Sequence, residues 1–272
     1  MSGVLEPLAG RYVEWLRVPA AATADVAAEE AELVRAMPVV LRIERDEPPG
    51  RTPMLEAAAA AAVGVCLDPR AEPGGEWHDD VAAWVGGRIR KVARRARGAH
   101  WAAVQALPGM TVAVGGTAVG GTAVGGTAVG GVAVGGAEVR ALVPGRVVET
   151  PKEVSRLQIT GSDLPADEPG PPPPGIPVLW LNPAIEMSAG KAAAQVGHAT
   201  MLLASLLPDV SAWAADGFRV AVRTPTRERW AELHPGGDPA GAWRERGVVA
   251  VRDAGFTEIA PGTITVLAQQ QH

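Results

Sequence analysis

The sequence predicts an α/β protein: a compact C-terminal domain with a mixed sheet flanked by helices, preceded by a second α/β domain. Three observations carry this. Short apolar runs of strand length, such as Val39-Val40-Leu41-Arg42-Ile43 and residues 178–181, alternate with Ala-rich stretches of helical length. Residues 163–177, with four consecutive prolines from Pro171 to Pro174, form an extended, semi-rigid linker between the two series. A chain of 272 residues with 47% hydrophobic content can supply two modest cores.

In chain order, residues 1–36 hold short helical patterns, notably from Ala22 to Met37, with too little apolar surface for a core of their own, and are expected to form a loosely attached arm. The first domain, residues 37–162, begins with the strand ending at Ile43. Pro48-Pro49-Gly50 breaks that strand before an Ala-rich helix from about Pro53 to Leu67. A second helix is expected from about Glu76 to Arg97, then extended chain from Trp101 to Leu107 and a strand from Val139 to Val143. Between these lies Thr-Ala-Val-Gly-Gly at a five-residue period over residues 115–136. Such glycine density raises the entropic cost of ordering, which predicts a flexible loop expansion, with a short β stack as the alternative. It is no phosphate loop, because Gly-x-Gly-x-x-Gly is missing and the tract opens no helix.

After the linker, residues 178–272 read as strand 178–181, helix 190–207, a shorter helix at 210–215 and strand 218–223. Helix 226–233 follows, with Thr226 as its N-cap, then strands 248–252 and 263–268 with Pro261-Gly262 turning between them. The order βααβαββ suits a compact mixed sheet.

Charge and cysteine usage bound the setting. The single cysteine, Cys66, sits in an alanine run and reads as a small buried apolar residue, so no intramolecular disulfide is available and a reducing, cytoplasmic setting is expected. No basic-then-apolar leader and no run of about 20 apolar residues occurs, which predicts a soluble chain with no membrane partner. The net charge of -5 argues against general nucleic-acid binding, yet Arg88-Ile-Arg90-Lys91-Val-Ala-Arg94-Arg95-Ala-Arg97 carries six cations and no acid. On a helix, one face of it would grip a phosphate backbone or stand as a solvated basic face. The chain has three lysines against 22 arginines, so a lysine at 191 hints that a compact ammonium is wanted there.

The chemistry concentrates in two segments, Met187 to Ala199 and Asp253 to Leu267. Lys191, Gln195 and His198 are spaced i, i+4, i+7, one narrow stripe of a helix whose other residues are small or apolar. With Ser188 as N-cap, Lys191 falls in the first turn, where a cation is unfavourable unless an anion comes to meet it. Such an end suits a phosphate, a carboxylate or a developing oxyanion. Asp253, at the end of a strand and just before Ala254-Gly255, can face that helix. The pair then reads as catalytic groups across a cleft or as a structural ion pair. A nucleotide-binding P-loop is excluded because Ile185 and Ala192 occupy its glycine and Ser/Thr positions. There is no Gly-x-Ser-x-Gly elbow and no His-Glu-x-x-His pair, and the five histidines are too scattered for a metal site.

Gly190-Lys191-Ala-Ala-Ala-Gln195-Val-Gly-His198-Ala199 is similar to the Gly-Lys-x-Ala-Ala-Gln-x-x-His-Ala helix of type II peptidyl-tRNA hydrolases. Residues 253–267 resemble that family's Asp-Ala-Gly-Arg-Thr-Gln-Ile-Ala-Pro-Gly-Ser-x-Thr-Val-Leu segment. The resemblance covers residues 176–268. It implies a mixed four-stranded sheet flanked by helices and hydrolysis of the ester joining a peptide to the terminal ribose of tRNA, with peptidyl-tRNA as substrate partner and no metal or organic cofactor. Carried over, Lys191, Gln195, Asp253 and Thr265 form the active site, with His198 and Thr257 adjacent; outside the resemblance, the charge of the basic stretch makes Arg88, Arg90, Lys91, Arg94 and Arg95 the expected further substrate contacts. Ala189 and Phe256 stand where the family commonly has basic residues, and Glu258 replaces the usual Gln. Those departures keep a second reading open, a catalytically lapsed tRNA-binding or protein-interaction module.

Residues 38–145 follow the same element order as 177–267, which suggests a worn copy of the unit in a monomeric pseudo-dimer, against an unrelated domain or a homodimer. Its chemistry is missing: Leu55 and Ala58 fall where Gln195 and His198 stand, and Ala106 falls near the Asp253 position.

Overall fold

The computed structural model describes residues 3–27, 29–115, 136–160 and 163–271, and within the repeat tract the backbone of residues 117–119, 122–124, 127–129 and 132–134. Two mixed sheets are each covered by an Ala-rich helix, and the two helices, Arg51–Leu67 and Ala189–Leu206, pack on one another between the sheets.

The C-terminal sheet is ordered Ala221–Arg223, Val178–Leu181, Ile264–Gln269, Val248–Arg252. Its first pair is parallel and the other two pairs are antiparallel. The N-terminal sheet has the same plan: Lys91–Ala96 lies parallel to Arg35–Arg42, which pairs antiparallel with Ala137–Leu142, which pairs antiparallel with Gly109–Val114. Numbered within each half, both sheets run 2-1-4-3 with the same strand directions. A parallel neighbour needs a crossover, and in each half the Ala-rich helix supplies it.

The small side chains explain the close approach of the two helices. Ala57 to Ala62 on one and Ala192, Ala193, Val196 and Ala199 on the other are buried in a single core cluster. The buried Thr200 hydroxyl donates to the Ala59 carbonyl across the helix pair at 2.9 Å, satisfying a polar group that would otherwise be stranded. At Gly197 an added Cβ would sit 2.9 Å from Ala62 Cβ, so the absence of a side chain sets the spacing.

Several local expectations are corrected. The first segment is no loose arm: Glu6–Arg17 is a helix whose Leu8 and Tyr12 are buried with Leu5 in the main core, and the Tyr12 hydroxyl accepts the Ala250 amide at 2.8 Å. Among the described residues, the helical pattern from Ala22 to Met37 yields the end of the four-residue helix Ala20–Thr23 and the short 3-10 helix Ala31–Leu33 before the strand starts at Arg35. The helix expected to run to Arg97 stops at Gly86, where Gly87 follows, and the basic stretch becomes the edge strand Lys91–Ala96. Trp101 is helical, in Gly98–Val104, and the strand begins later, at Gly109. A helix not read from the pattern, Pro239–Arg246, starts on an Asp238 side-chain cap and ends on left-handed Gly247.

In the repeat tract, Thr117–Val119, Thr122–Val124, Thr127–Val129 and Val132–Val134 are three-residue strands paired antiparallel, and the glycine pairs between them lie outside the described residues. The tract follows Gly109–Val114 as the Asp253 segment follows Val248–Arg252. Gly115, not Ala106, therefore stands at the position equivalent to Asp253. No helix among the described residues is long and apolar enough to cross a membrane.

Candidate functional site

The helix Ala189–Leu206 begins as its sequence dictates. Ser188 Oγ accepts the Lys191 amide at 3.1 Å, which places Lys191 in the first turn. The same hydroxyl donates to Glu258 Oε1 at 2.7 Å, and the Ser188 amide donates to Glu258 Oε2 at 3.0 Å. Glu258, which differs from the family residue, thus holds its charge at a helix N-terminus, where an anion is stabilising.

From this start the stripe of polar residues meets the strand pair beneath it. Lys191 Nζ donates to Asp253 Oδ2 at 2.6 Å and to Thr257 Oγ1 at 2.9 Å. One turn on, Gln195 Nε2 donates to the same Asp253 oxygen at 2.7 Å, and Thr265 Oγ1 donates to Gln195 Oε1 at 2.6 Å. Asp253 Oδ1 accepts the Gly255 amide at 2.8 Å. The turn needs that glycine: Gly255 has φ +84, and a Cβ there would lie 2.4 Å from Pro261. Gln195, Asp253 and Thr265 are buried and Lys191 is partly exposed. The four residues singled out from the sequence therefore form one connected network, with His198 a turn further along the same helix.

The network opens on a cleft of about 900 Å³ between the two halves of the chain. Its far wall is the N-terminal half, and here the basic stretch divides. Arg88, Arg90 and Lys91 line the cleft, whereas Arg94 donates to the Ser155 and Leu157 carbonyls and Arg95 to the Gln158 side chain, away from it. Arg88 and Arg90 are already matched: Glu29 bridges them, with both contacts at 2.6 Å, and Phe256 lies under both guanidinium groups at 5.5 and 5.1 Å. Phe256 thereby fills the place of a cation with a ring that stacks on two others. Glu29 and this stacking were beyond sequence reasoning, because the partners are some sixty and about 170 residues apart.

Lys91 crosses from the N-terminal half to the helix Ala189–Leu206, its Nζ 3.0 Å from His198 Nδ1 and 5.0 Å from the centre of the Trp84 ring. Burial pulls the Lys91 ammonium down to about 7. Burial, and then the charges of Lys91 and Lys191, hold His198 well below its ordinary range, so its ring is neutral and Nδ1 is the acceptor. Cys66 is buried and its thiol pushed up to about 12, which removes it as a nucleophile. Among the described residues no three His, Cys, Asp or Glu side chains converge to hold a metal ion.

Lys191, Gln195, Asp253 and Thr265 all lie in the part of the chain that the comparisons cover. Residues 177–270 match the family described as peptidyl-tRNA hydrolase PTH2. Over 99 residues the chain is 36% identical to the peptidyl-tRNA hydrolase of Methanopyrus kandleri, a match covering 33% of this chain and 78% of that protein. No solved structure matches. Through its C-terminal four-stranded sheet and the helix that carries Lys191 and Gln195, the chain belongs to the peptidyl-tRNA hydrolase PTH2 family.

Proposed function

We propose that this chain hydrolyses the ester between a peptide and the terminal ribose of tRNA, with Lys191, Gln195, Asp253 and Thr265 as its active site. The observation that carries the reading is the convergence of Lys191 Nζ and Gln195 Nε2 on one Asp253 oxygen at the wall of a solvent-reachable cleft. A carboxylate so held is a fixed acceptor. It orients a water whose oxygen attacks the ester carbonyl carbon, while the ammonium of Lys191 faces the charge that develops on the carbonyl oxygen. The bond from carbon to the ribose oxygen then breaks, and the water proton passes by way of Asp253 to that oxygen, leaving a peptide carboxylate and a free tRNA hydroxyl. Thr265 keeps the Gln195 amide turned toward Asp253. Arg88 and Arg90 flank the entry for the tRNA end, with Glu29 as the group the RNA phosphates displace.

The N-terminal half is, in this reading, an inert copy of the same unit. It shares the strand plan, but Leu55, Ala58 and Gly115 occupy the positions of Gln195, His198 and Asp253. Its retained task is to wall the cleft.

The test is release of free tRNA from an N-acetylaminoacyl-tRNA by the purified chain, with Lys191→Ala and Asp253→Asn as controls that abolish turnover. Binding of the substrate without turnover by the wild-type chain would instead establish the lapsed module, a reading that Ala189 and Phe256, standing where the family commonly has basic residues, favour.

A further inference from the structure

We propose that the unpaired edge of the strand Lys91–Ala96, at Lys91 and Ala93, binds the peptide of the substrate as an added antiparallel strand, through main-chain hydrogen bonds. The inference rests on the hydrolase reading and names the part of the substrate that the N-terminal half takes.

Register fixes which groups are open. The Arg90 and Ala96 carbonyls accept the Met37 and Ile43 amides, so the even-numbered residues of this strand face Arg35–Arg42. The odd-numbered residues face outward, and there the Arg95 amide donates to the Gln158 carbonyl at 2.9 Å in an isolated antiparallel bridge. Lys91 and Ala93 lie on the same outer edge. Among the described residues their main-chain amides and carbonyls have no partner, and Lys91, Val92 and Ala93 are all partly exposed on the wall of the cleft. A row of free N–H and C=O groups is a template for one more strand.

The matching edge of the C-terminal sheet is capped. In the strand Ala221–Arg223 the Ala221 amide donates to the Pro177 carbonyl, and the outward Val222 amide donates to Glu56 Oε1 at 3.0 Å, on the helix of the other half. By the correspondence that sets Leu55 against Gln195, Val196 stands where Glu56 would, and its side chain has no acceptor to offer. The edge at Lys91 and Ala93 thus lacks the cap that its counterpart has.

Position and direction suit a peptide. Arg88 and Arg90, just before the strand, lie over Phe256, three residues from Asp253, so the strand runs away from the proposed catalytic groups. Gln158 runs opposite to it, and a peptide whose C-terminal ester sits at Asp253 runs the same way as Gln158. Lys91 meets His198, seven residues along the helix from Lys191. Seven residues of helix span about 10 Å, which an extended chain covers in about three residues. Peptide residues beyond about the third from the ester therefore meet the edge. Main-chain pairing accepts any side-chain sequence, which suits a substrate class defined by its ester and not by its side chains.

The experiment uses the full chain and one tRNA body carrying N-acetyl oligoalanines of increasing length. kcat/KM is expected to rise roughly tenfold, mainly through KM, once the peptide exceeds about three residues, and to level off beyond about six. In the longest peptide, N-methylation of single amides past that point should raise KM several-fold at alternate positions only, because every second residue faces the edge. Exchanging single alanines there for serine should leave KM level. Ala93→Pro removes one outward amide without touching the pairing to Arg35–Arg42, and should bring the long ester down toward the one-residue ester. The methylation scan on the unaltered chain decides the matter even where that variant fails to fold. A kcat/KM independent of length, or N-methyl sensitivity without alternation, overturns the edge alone. A dimer in solution that Ala93→Pro dissolves would also overturn it, by giving the edge to a second copy. No turnover on any ester overturns the hydrolase reading and the edge with it.

Discussion

Thr265 Oγ1 donates to Gln195 Oε1 at 2.6 Å, and this fixes which end of the Gln195 amide faces Asp253. An amide has one acceptor and two donors on nearly identical ends, so without Thr265 either end fits the space. With the carbonyl end turned inward, the Asp253 oxygen would meet another oxygen. Thr265→Val is expected to destabilise the fold by about 1–3 kcal/mol, the cost of a buried group without its partner, and to lower turnover of an N-acetylaminoacyl-tRNA. Thr265→Ser should restore both, as read by denaturant unfolding and by tRNA release.

The ion pair beside it is more demanding. Lys191 and Asp253 have side chains only 11% and 6% exposed, so removing one charge leaves the other without water or counter-charge. Lys191→Met is expected to destabilise the chain by about 3 kcal/mol or more, and Asp253→Asn by a similar amount. The double variant should lose less than the sum, since no charge is then left unpaired. A denaturant double-mutant cycle measures this, and additive losses would show that the two groups do not act on one another.

How much of this was legible in the sequence follows from the range of the forces involved. Ser188, Lys191, Gln195 and His198 were readable because capping and helical spacing act over a few residues, and Asp253 because a strand end followed by Ala-Gly leaves a carboxylate clear of the sheet. Thr226 as a cap was readable for the same reason, and the structure has its hydroxyl accepting the Arg229 amide at 3.2 Å. The stretch from Arg88 to Arg97 was not. Its local pattern is compatible with a helix, but Gly86-Gly87 interrupts the preceding one, and pairing with Arg35–Arg42 over the full register from Met37 to Arg42 makes it a strand. Tertiary pairing outweighs a weak local preference. Its fate as a binding surface was also hidden, because Glu29 comes from a segment with no periodic pattern to place it.

Glu29 offers a direct handle on that surface. It neutralises Arg88 and Arg90 in the free protein, so a nucleic-acid ligand must displace it. Glu29→Gln is expected to tighten tRNA binding at low salt and to steepen the dependence of log affinity on log salt by roughly 1–2, one increment for each additional phosphate that an arginine neutralises. Titration of tRNA binding at several salt concentrations checks this, and an unchanged slope would mean that the two arginines do not meet phosphate.

Stability should depend on pH through Lys91. Its ammonium is held at about 7 against an ordinary 10.5, so between those values the unfolded chain binds a proton that the folded chain has lost. Stability therefore rises with pH across that window, by at most about 1.4 kcal/mol per pH unit, and the gain is lost as pH falls through 7. The groups facing Lys91 are His198 on the helix Ala189–Leu206 and Cys66 on the helix Arg51–Leu67. His198, lowered from 6.5, contributes its own rise only at lower pH, and Cys66, raised from 9.0 to about 12, opposes the trend only above about 9. A comparison at pH 7.5 and 8.5 isolates Lys91: the denaturation midpoint of the wild type should increase and that of Lys91→Met should stay level.

The contact between the two halves can be probed at Gly197. A methyl group there would meet Ala62 Cβ at 2.9 Å and Lys91 Cε at 3.0 Å. The first is a short side chain fixed to a buried helix, which cannot yield without moving the backbone, and the second is the stem that presents Lys91 to His198. Relief therefore comes from separating the helices or from displacing Lys91. The helix-propensity gain of alanine over glycine, about 1 kcal/mol, works in the opposite direction. Overpacking of a tight interior costs about 1–3 kcal/mol, so Gly197→Ala should be net destabilising despite the better helix former. A stabilised variant in denaturant unfolding would show that the halves have slack at this point.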